Sequence, residues 1–135
     1  MKVVAVSQRV DSFSERNETR DALDQRLIDW LTRCGYVPVP VPNGLGDSIR
    51  GWLMTLRPSA LVLSGGNDIG QYPERDETEL ALLSYAKELT LTVLGICRGM
   101  HMMAHWAGAT LHQVSGHVRT RHQLSGQIST EVNSY

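Results

Sequence analysis

Residues 92–106 read TVLGICRGMHMMAHW, and the way this stretch folds decides the rest of the chain. Leu91 to Ile96 is an apolar run of strand character, and Arg98 to Ala107 has helical spacing, with Gly108 where a helix stops. Between them Gly95-Ile96-Cys97-Arg98-Gly99 sets a cysteine between two glycines. At a strand-to-helix junction this pattern is a nucleophile elbow, a sharp turn that holds the side chain out while small neighbours let strand and helix approach. The following helix then aims its N-terminus at the sulfur and stabilises negative charge there. Arg98 adds to that charge if its side chain faces inward. Its backbone N–H has no intrahelical partner, so it is free to hold a developing oxyanion.

Outward from the elbow, strands and helices alternate. Val3 to Val6 reads as a strand buried on both faces, which suggests a parallel sheet. From Glu15 to Cys34 the apolar positions Leu23, Leu27, Ile28, Trp30 and Leu31 predict a helix, closed by Gly35 at positive φ. Tyr36 to Val41 contains Pro38 and Pro40, which lack N–H groups and so fit an edge strand. Asp47 is placed to cap a helix through Ile49, Leu53 and Leu56, which ends before Pro58. Ala60 to Leu63 is a buried strand that leads into Ser64-Gly65-Gly66, and a helix is expected from Asp76 to Glu88. The Ser64-Gly65-Gly66 loop allows close backbone approach and is the natural source of a second oxyanion donor. This alternation predicts an α/β fold with a mainly parallel sheet. Ligands bind at the carboxyl ends of the strands in such sheets. After Gly108 only short β-like pieces are expected, at Thr110-Leu111-His112 and His122-Gln123-Leu124.

The bulk properties narrow the function classes. A chain of 135 residues suits a single domain. With 41% hydrophobic residues, 20% charged residues and a net charge of −1, it offers no electrostatic case for nucleic acid or an anionic membrane. Val3 to Val6 is too brief for a signal peptide, and no run approaches transmembrane length. Cys34 and Cys97 therefore read as free thiols of a cytoplasmic protein, with Cys34 structural.

The chain resembles the class I glutamine amidotransferase superfamily, and more closely its gamma-glutamyl hydrolase (peptidase C26-like) branch. The resemblance lies in Leu63-Ser64-Gly65-Gly66-Asn67-Asp68-Ile69, Arg75-Asp76-x-x-Glu79, Leu94-Gly95-Ile96-Cys97-Arg98-Gly99-Met100 and Gly108-Ala109-x-Leu111. The N-terminal SQRVD and ERNETRDALDQ segments are similar to a subgroup tied to capsule and lipopolysaccharide biosynthesis, where a gamma-glutamyl-CDP-amidate is a known substrate. The resemblance implies a flavodoxin-like three-layer sandwich. Residues 1–135 would form a single partial domain, incomplete at the C-terminus. The implied reaction is attack of Cys97 on a gamma-glutamyl amide, release of the amine, and hydrolysis of the thioester.

The same resemblance assigns further residues. The backbone amides of Gly66 and Arg98 become the oxyanion hole. His101 stands where relatives usually carry a glutamine that binds the glutamyl moiety, and Ser134 and Tyr135 resemble a segment lining the same site. Arg75, Asp76 and Glu79 are explained more simply as a helix cap followed by an acidic first turn. The family's base is a histidine of a His-x-Glu motif, which residues 1–135 do not contain. The chain is thus expected to be a truncated fragment, inactive alone. No cofactor or metal is implied. The expected partner is a small gamma-glutamyl substrate, with a homodimer left open.

Other residues invite competing readings. Arg119 and Arg121 share a face if their segment is extended, and together they could take a phosphate of the substrate. His112, His117 and His122 surround them. Cys97, His101 and His105 lie four residues apart on one helix and superficially resemble a metal set, but they lack the adjoining glutamate of a metalloprotease. A glutaminase that passes ammonia to a synthase and a non-catalytic binding module of the same fold are the alternatives to the hydrolase.

Overall fold

The computed structural model describes residues 1–134. Its centre is a four-stranded parallel sheet in the order β4-β1-β5-β6, made of β1 (Lys2–Val6), β4 (Tyr36–Pro40), β5 (Ala60–Leu63) and β6 (Thr92–Gly95). Strand alternation splits the apolar residues between two faces. Val4, Val6 and Val62 form one layer with Leu31, backed by Leu23 and Leu27 of the α1 region (α1 is Gln25–Arg33). Ala5, Leu61 and Leu63 face the other way. There they meet Leu53 of α2 (Ile49–Leu56), Leu82, Leu83 and Ala86 of α3 (Pro73–Leu89), and Met102 of α4 (Arg98–Trp106). Helix, sheet and helices are thus stacked in three layers, and the α/β class expected from alternation is the one found.

The edge assignment of Tyr36 to Val41 holds: β4 flanks β1 on the outside of the sheet, in register from Lys2↔Tyr36 to Val6↔Pro40. Gly35 and Gly108 stop α1 and α4 with φ of 83° and 88°.

Five local expectations failed. Residues 15–22 are not helical. β2 (Arg9–Phe13) and β3 (Glu18–Ala22) form an antiparallel hairpin, and α1 starts only at Gln25, where the Asp24 side chain accepts from the Arg26 N–H at 2.8 Å. Pairing with β2, in register from Arg9↔Ala22 to Phe13↔Glu18, overrides the helical pattern. Trp30, counted among the helical apolar positions, is 45% exposed. Asp47 caps nothing, because a 3-10 segment (Asn43–Ser48) runs directly into α2, and the residue at the helix start is Ser48, which makes no side-chain cap. α3 begins at Pro73, three residues before Asp76, since a proline at the first helical position sacrifices no hydrogen bond. Thr110 to His112 is not a strand. The remaining strands, β7 (Thr120–Gln123) and β8 (Glu131–Ser134), pair with each other.

α4 and β5 approach each other closely at Gly99. A Cβ at Gly99 would stand 2.1 Å from the Leu63 carbonyl oxygen, and one at Gly95 would stand 2.7 Å from the Met103 sulfur. Gly51, inside α2, has nothing within 4 Å of its Cβ direction. Gly99→Ala is therefore expected to lower the unfolding free energy by about 3 kcal/mol, the upper range for overpacking a core. Gly51→Ala is expected to raise it by about 0.5–1 kcal/mol through helix propensity. Urea unfolding of the two variants beside the wild type checks both signs.

Candidate active site

The elbow is present in the backbone. Cys97 has φ 53° and ψ −112°, a conformation that L-residues adopt only when the surroundings impose it. The surroundings here are β6 on one side and the tightly packed Gly99 turn of α4 on the other, closed by a hydrogen bond from the Gly99 N–H to the Ile96 carbonyl at 2.9 Å. The thiol is free and exposed. Gly65 lies beside it: a Cβ there would be 3.3 Å from Cys97 Cβ and 3.9 Å from Sγ.

Cys97 opens onto a cleft of about 450 Å³ lined by Gly66, Asn67, Asp68, Gln71, Cys97, Arg98 and His101. The structure thus brings together four residues singled out in the sequence: Cys97, Gly66, Arg98 and His101. The backbone N–H groups of Gly66 and Arg98 have no protein acceptor among the described residues. A second cleft of about 310 Å³ shares Gly66 with the first and has Arg9, Leu23, Leu27 and Ile96 on its walls.

Arg98 contributes only its amide to this cleft. Its guanidinium does not face the sulfur; Nη1 donates to Glu79 and Nη2 to Asp76, and the side chain is almost fully buried. Asp76 is likewise no cap: its second oxygen accepts from the Gly70 N–H at 2.7 Å. Glu79 is fully buried and also accepts from Ser7 Oγ at 2.7 Å and from Arg75 Nε at 3.2 Å. Ser7 in turn accepts from the Ser64 N–H at 2.9 Å. The acidic pair that suggested a helix start is instead the anionic half of a buried ion network.

Arg75 is the other cationic member, and it is also fully buried. Its Nη2 donates to the carbonyl oxygens of Ser64 at 2.9 Å and Gly65 at 3.0 Å. Its Nη1 donates to the Gly66 carbonyl and, at 2.8 Å, to Asn67 Oδ1. Burial pushes its guanidinium below the ordinary range; Glu79 opposes that shift, and Arg98 adds to it. Asn67, at φ 62°, bonds both the N–H and the carbonyl of Val10, which ties the loop to the β2–β3 hairpin.

Among the described residues, Arg119, Arg121 and His105 are not in the lining of this cleft. Arg119 has φ 56° and precedes β7, so it is not in an extended segment, and alternation does not place it on a face with Arg121. Arg121 is ion-paired with Glu131 at 3.0 Å. Ser134 ends β8, and Tyr135 lies outside the described residues. His117 and His122 stack with ring centroids 4.8 Å apart. Among the described residues no three His, Cys, Asp or Glu side chains are gathered as a metal site needs, and no helix is long and apolar enough to cross a membrane.

Sequence reading missed Asn67, Asp68 and Gln71 as cleft residues and Arg9 as the neighbour of Gly66. The first two stood inside one quoted motif and Arg9 inside another, SQRVD.

The model of the family described as Peptidase C26 matches residues 2–134. A glutamine amidotransferase-like protein of Lactococcus lactis subsp. cremoris, named as a YvdE homolog, is 29% identical over 103 residues, covering 66% of this chain and 54% of that one. The gamma-glutamyl-CDP-amidate hydrolase of Campylobacter jejuni is 29% identical over 125 residues, covering 85% of this chain and 60% of that one. The chain thus spans little more than half the length of these curated relatives.

Removing Glu79 leaves the buried Arg75 guanidinium without a carboxylate and Arg98 with Asp76 alone. Glu79→Ala is expected to lower stability by about 3–5 kcal/mol, the cost of an uncompensated buried charge. Glu88→Ala, which removes the exposed partner of Arg50, is expected to change it far less. Denaturant midpoints of the two variants make the comparison.

Proposed function

Since the chain belongs to the Peptidase C26 family, we propose that its cleft serves cysteine-dependent hydrolysis of a gamma-glutamyl amide. The observation that carries this reading is the strained Cys97 elbow, with two unpartnered backbone N–H groups, of Gly66 and Arg98, on the same cleft. In the forward step the Cys97 sulfur bonds to the amide carbonyl carbon, and the C=O electron pair moves onto oxygen. The two N–H groups stabilise that oxyanion. Collapse breaks the C–N bond, the amine departs with a proton, and water cleaves the glutamyl thioester to glutamate and free thiol. His101, on the wall of the cleft, contacts the glutamyl moiety. Its imidazole offers one donor and one acceptor.

The second cleft holds the leaving group in this reading, and a phosphoryl-bearing amine suits it. Arg9 packs along Gly66, with Nη1 3.4 Å from a Cβ built there, and its Nε is held by Asp11 at 2.7 Å. A guanidinium aimed along the oxyanion loop recognises phosphate by paired hydrogen bonds. Similarity to the Campylobacter hydrolase, whose name gives such a substrate, supports the same class. Arg9 thereby takes the role first sought in Arg119 and Arg121.

Two measurements test these statements on the protein as encoded, with any sequence that follows Tyr135. Cys97→Ala is expected to abolish glutamate release from gamma-glutamyl p-nitroanilide while leaving the circular dichroism spectrum unchanged; undiminished turnover would refute the nucleophile. Arg9→Gln is expected to raise KM for a gamma-glutamyl-CDP-amidate about tenfold or more, the worth of a charge-assisted hydrogen bond. KM for the p-nitroanilide should hardly move. An equal rise on both substrates would sink the leaving-group role.

A further inference from the structure

Three successive carbonyls, those of Ser64, Gly65 and Gly66, converge on one buried guanidinium. The described chain has no cis peptide bond, and in a trans peptide the N–H points opposite to the C=O of the same unit. Drawing the Gly65 carbonyl inward to Arg75 therefore turns the Gly66 N–H outward, on the side away from Arg75. The positive φ values of Gly66 and Asn67, 83° and 62°, give the loop the curled shape of an anion-binding nest. We infer that Arg75 is the positioning residue of the oxyanion hole: its planar fork fixes the peptide planes that present the Gly66 N–H to the tetrahedral intermediate formed at Cys97.

The guanidinium is suited to this and an ammonium is not. Two Nη groups in one plane reach four separate oxygens on the loop, while Nε is spent on Glu79. Glu79 in turn bonds Arg98, whose backbone N–H is the other donor. One carboxylate thus indexes both halves of the hole to each other. The N–H groups need no reorganisation when charge develops, because their peptides are already locked. Arg75 itself touches no substrate.

This role rests on the hydrolase reading, and the test separates the two. Cys97 in the protein as encoded is alkylated in parallel by a gamma-glutamyl chloromethyl ketone and by iodoacetamide. The ketone reacts through a tetrahedral adduct whose oxygen needs the hole; iodoacetamide forms no oxyanion and reports only thiol exposure and nucleophilicity. In Arg75→Lys the ketone rate constant is expected to fall about 100-fold, the effect of losing one oxyanion donor, while the iodoacetamide rate stays within about threefold. A parallel fall of both rates, or no fall of either in a folded variant, overturns the positioning role. Should Arg75→Lys fail to fold, Asn67→Ser carries the same comparison. It removes the Nη1 acceptor and the tie to Val10, and a selective loss of about tenfold on the ketone supports the role. Equal rates in Asn67→Ser and wild type overturn it. A wild type that reacts no faster with the ketone than with iodoacetamide instead refutes the hydrolase reading itself.

Discussion

The fold and the candidate site both depend on the buried carboxylate of Glu79. It lies between the guanidinium groups of Arg75 and Arg98 and accepts a further hydrogen bond from Ser7 at the end of β1. Burying such charges is costly, and the cost is offset only because nearly every donor and acceptor finds a partner of opposite sign or a carbonyl. The network joins β1, the loop after β5, α3 and the start of α4. Moving any one of these elements would break a buried charge-assisted hydrogen bond, so the network helps fix their relative positions.

Apolar packing sets the distances within which that network works. Gly99 lets α4 approach the Leu63 carbonyl closely, and Gly95 makes room for Met103. The short approach forces the chain between them into the strained turn at Cys97. The strained backbone of Cys97 and the helix N-terminus beside it thus accompany a single close contact. Residues that touch no substrate hold this geometry in place, and their burial explains why they read as structural: Arg75 and Glu79 have no exposed surface.

The parts of the molecule legible in the sequence are those specified by short-range pattern. The strand Ala60 to Leu63 and the glycine stops at Gly35 and Gly108 follow from run length and backbone freedom, and they stand where expected. The elbow follows in the same way, because both glycines and the cysteine lie within five residues. Misreadings fall where a partner outside the segment wins. Residues 18–22 pair with β2 and abandon their helical pattern, and Asp76 and Glu79 turn from a cap into ligands of Arg98, which is distant in sequence.

Sequence alone determined the α/β class, the turn at Cys97 and the two loops beside it, since each rests on local geometry that residue type dictates. Tertiary structure decided what holds those loops. The Arg75-Asp76-x-x-Glu79 spacing says only that Arg75 and Glu79 share a helix face; whether that face meets water or a chain of carbonyls depends on what the sheet brings against it. The same distinction separates Arg121, which is ion-paired with Glu131, from Arg9, which packs along Gly66. A guanidinium acquires a role only from its neighbours, and those neighbours are assembled across the fold.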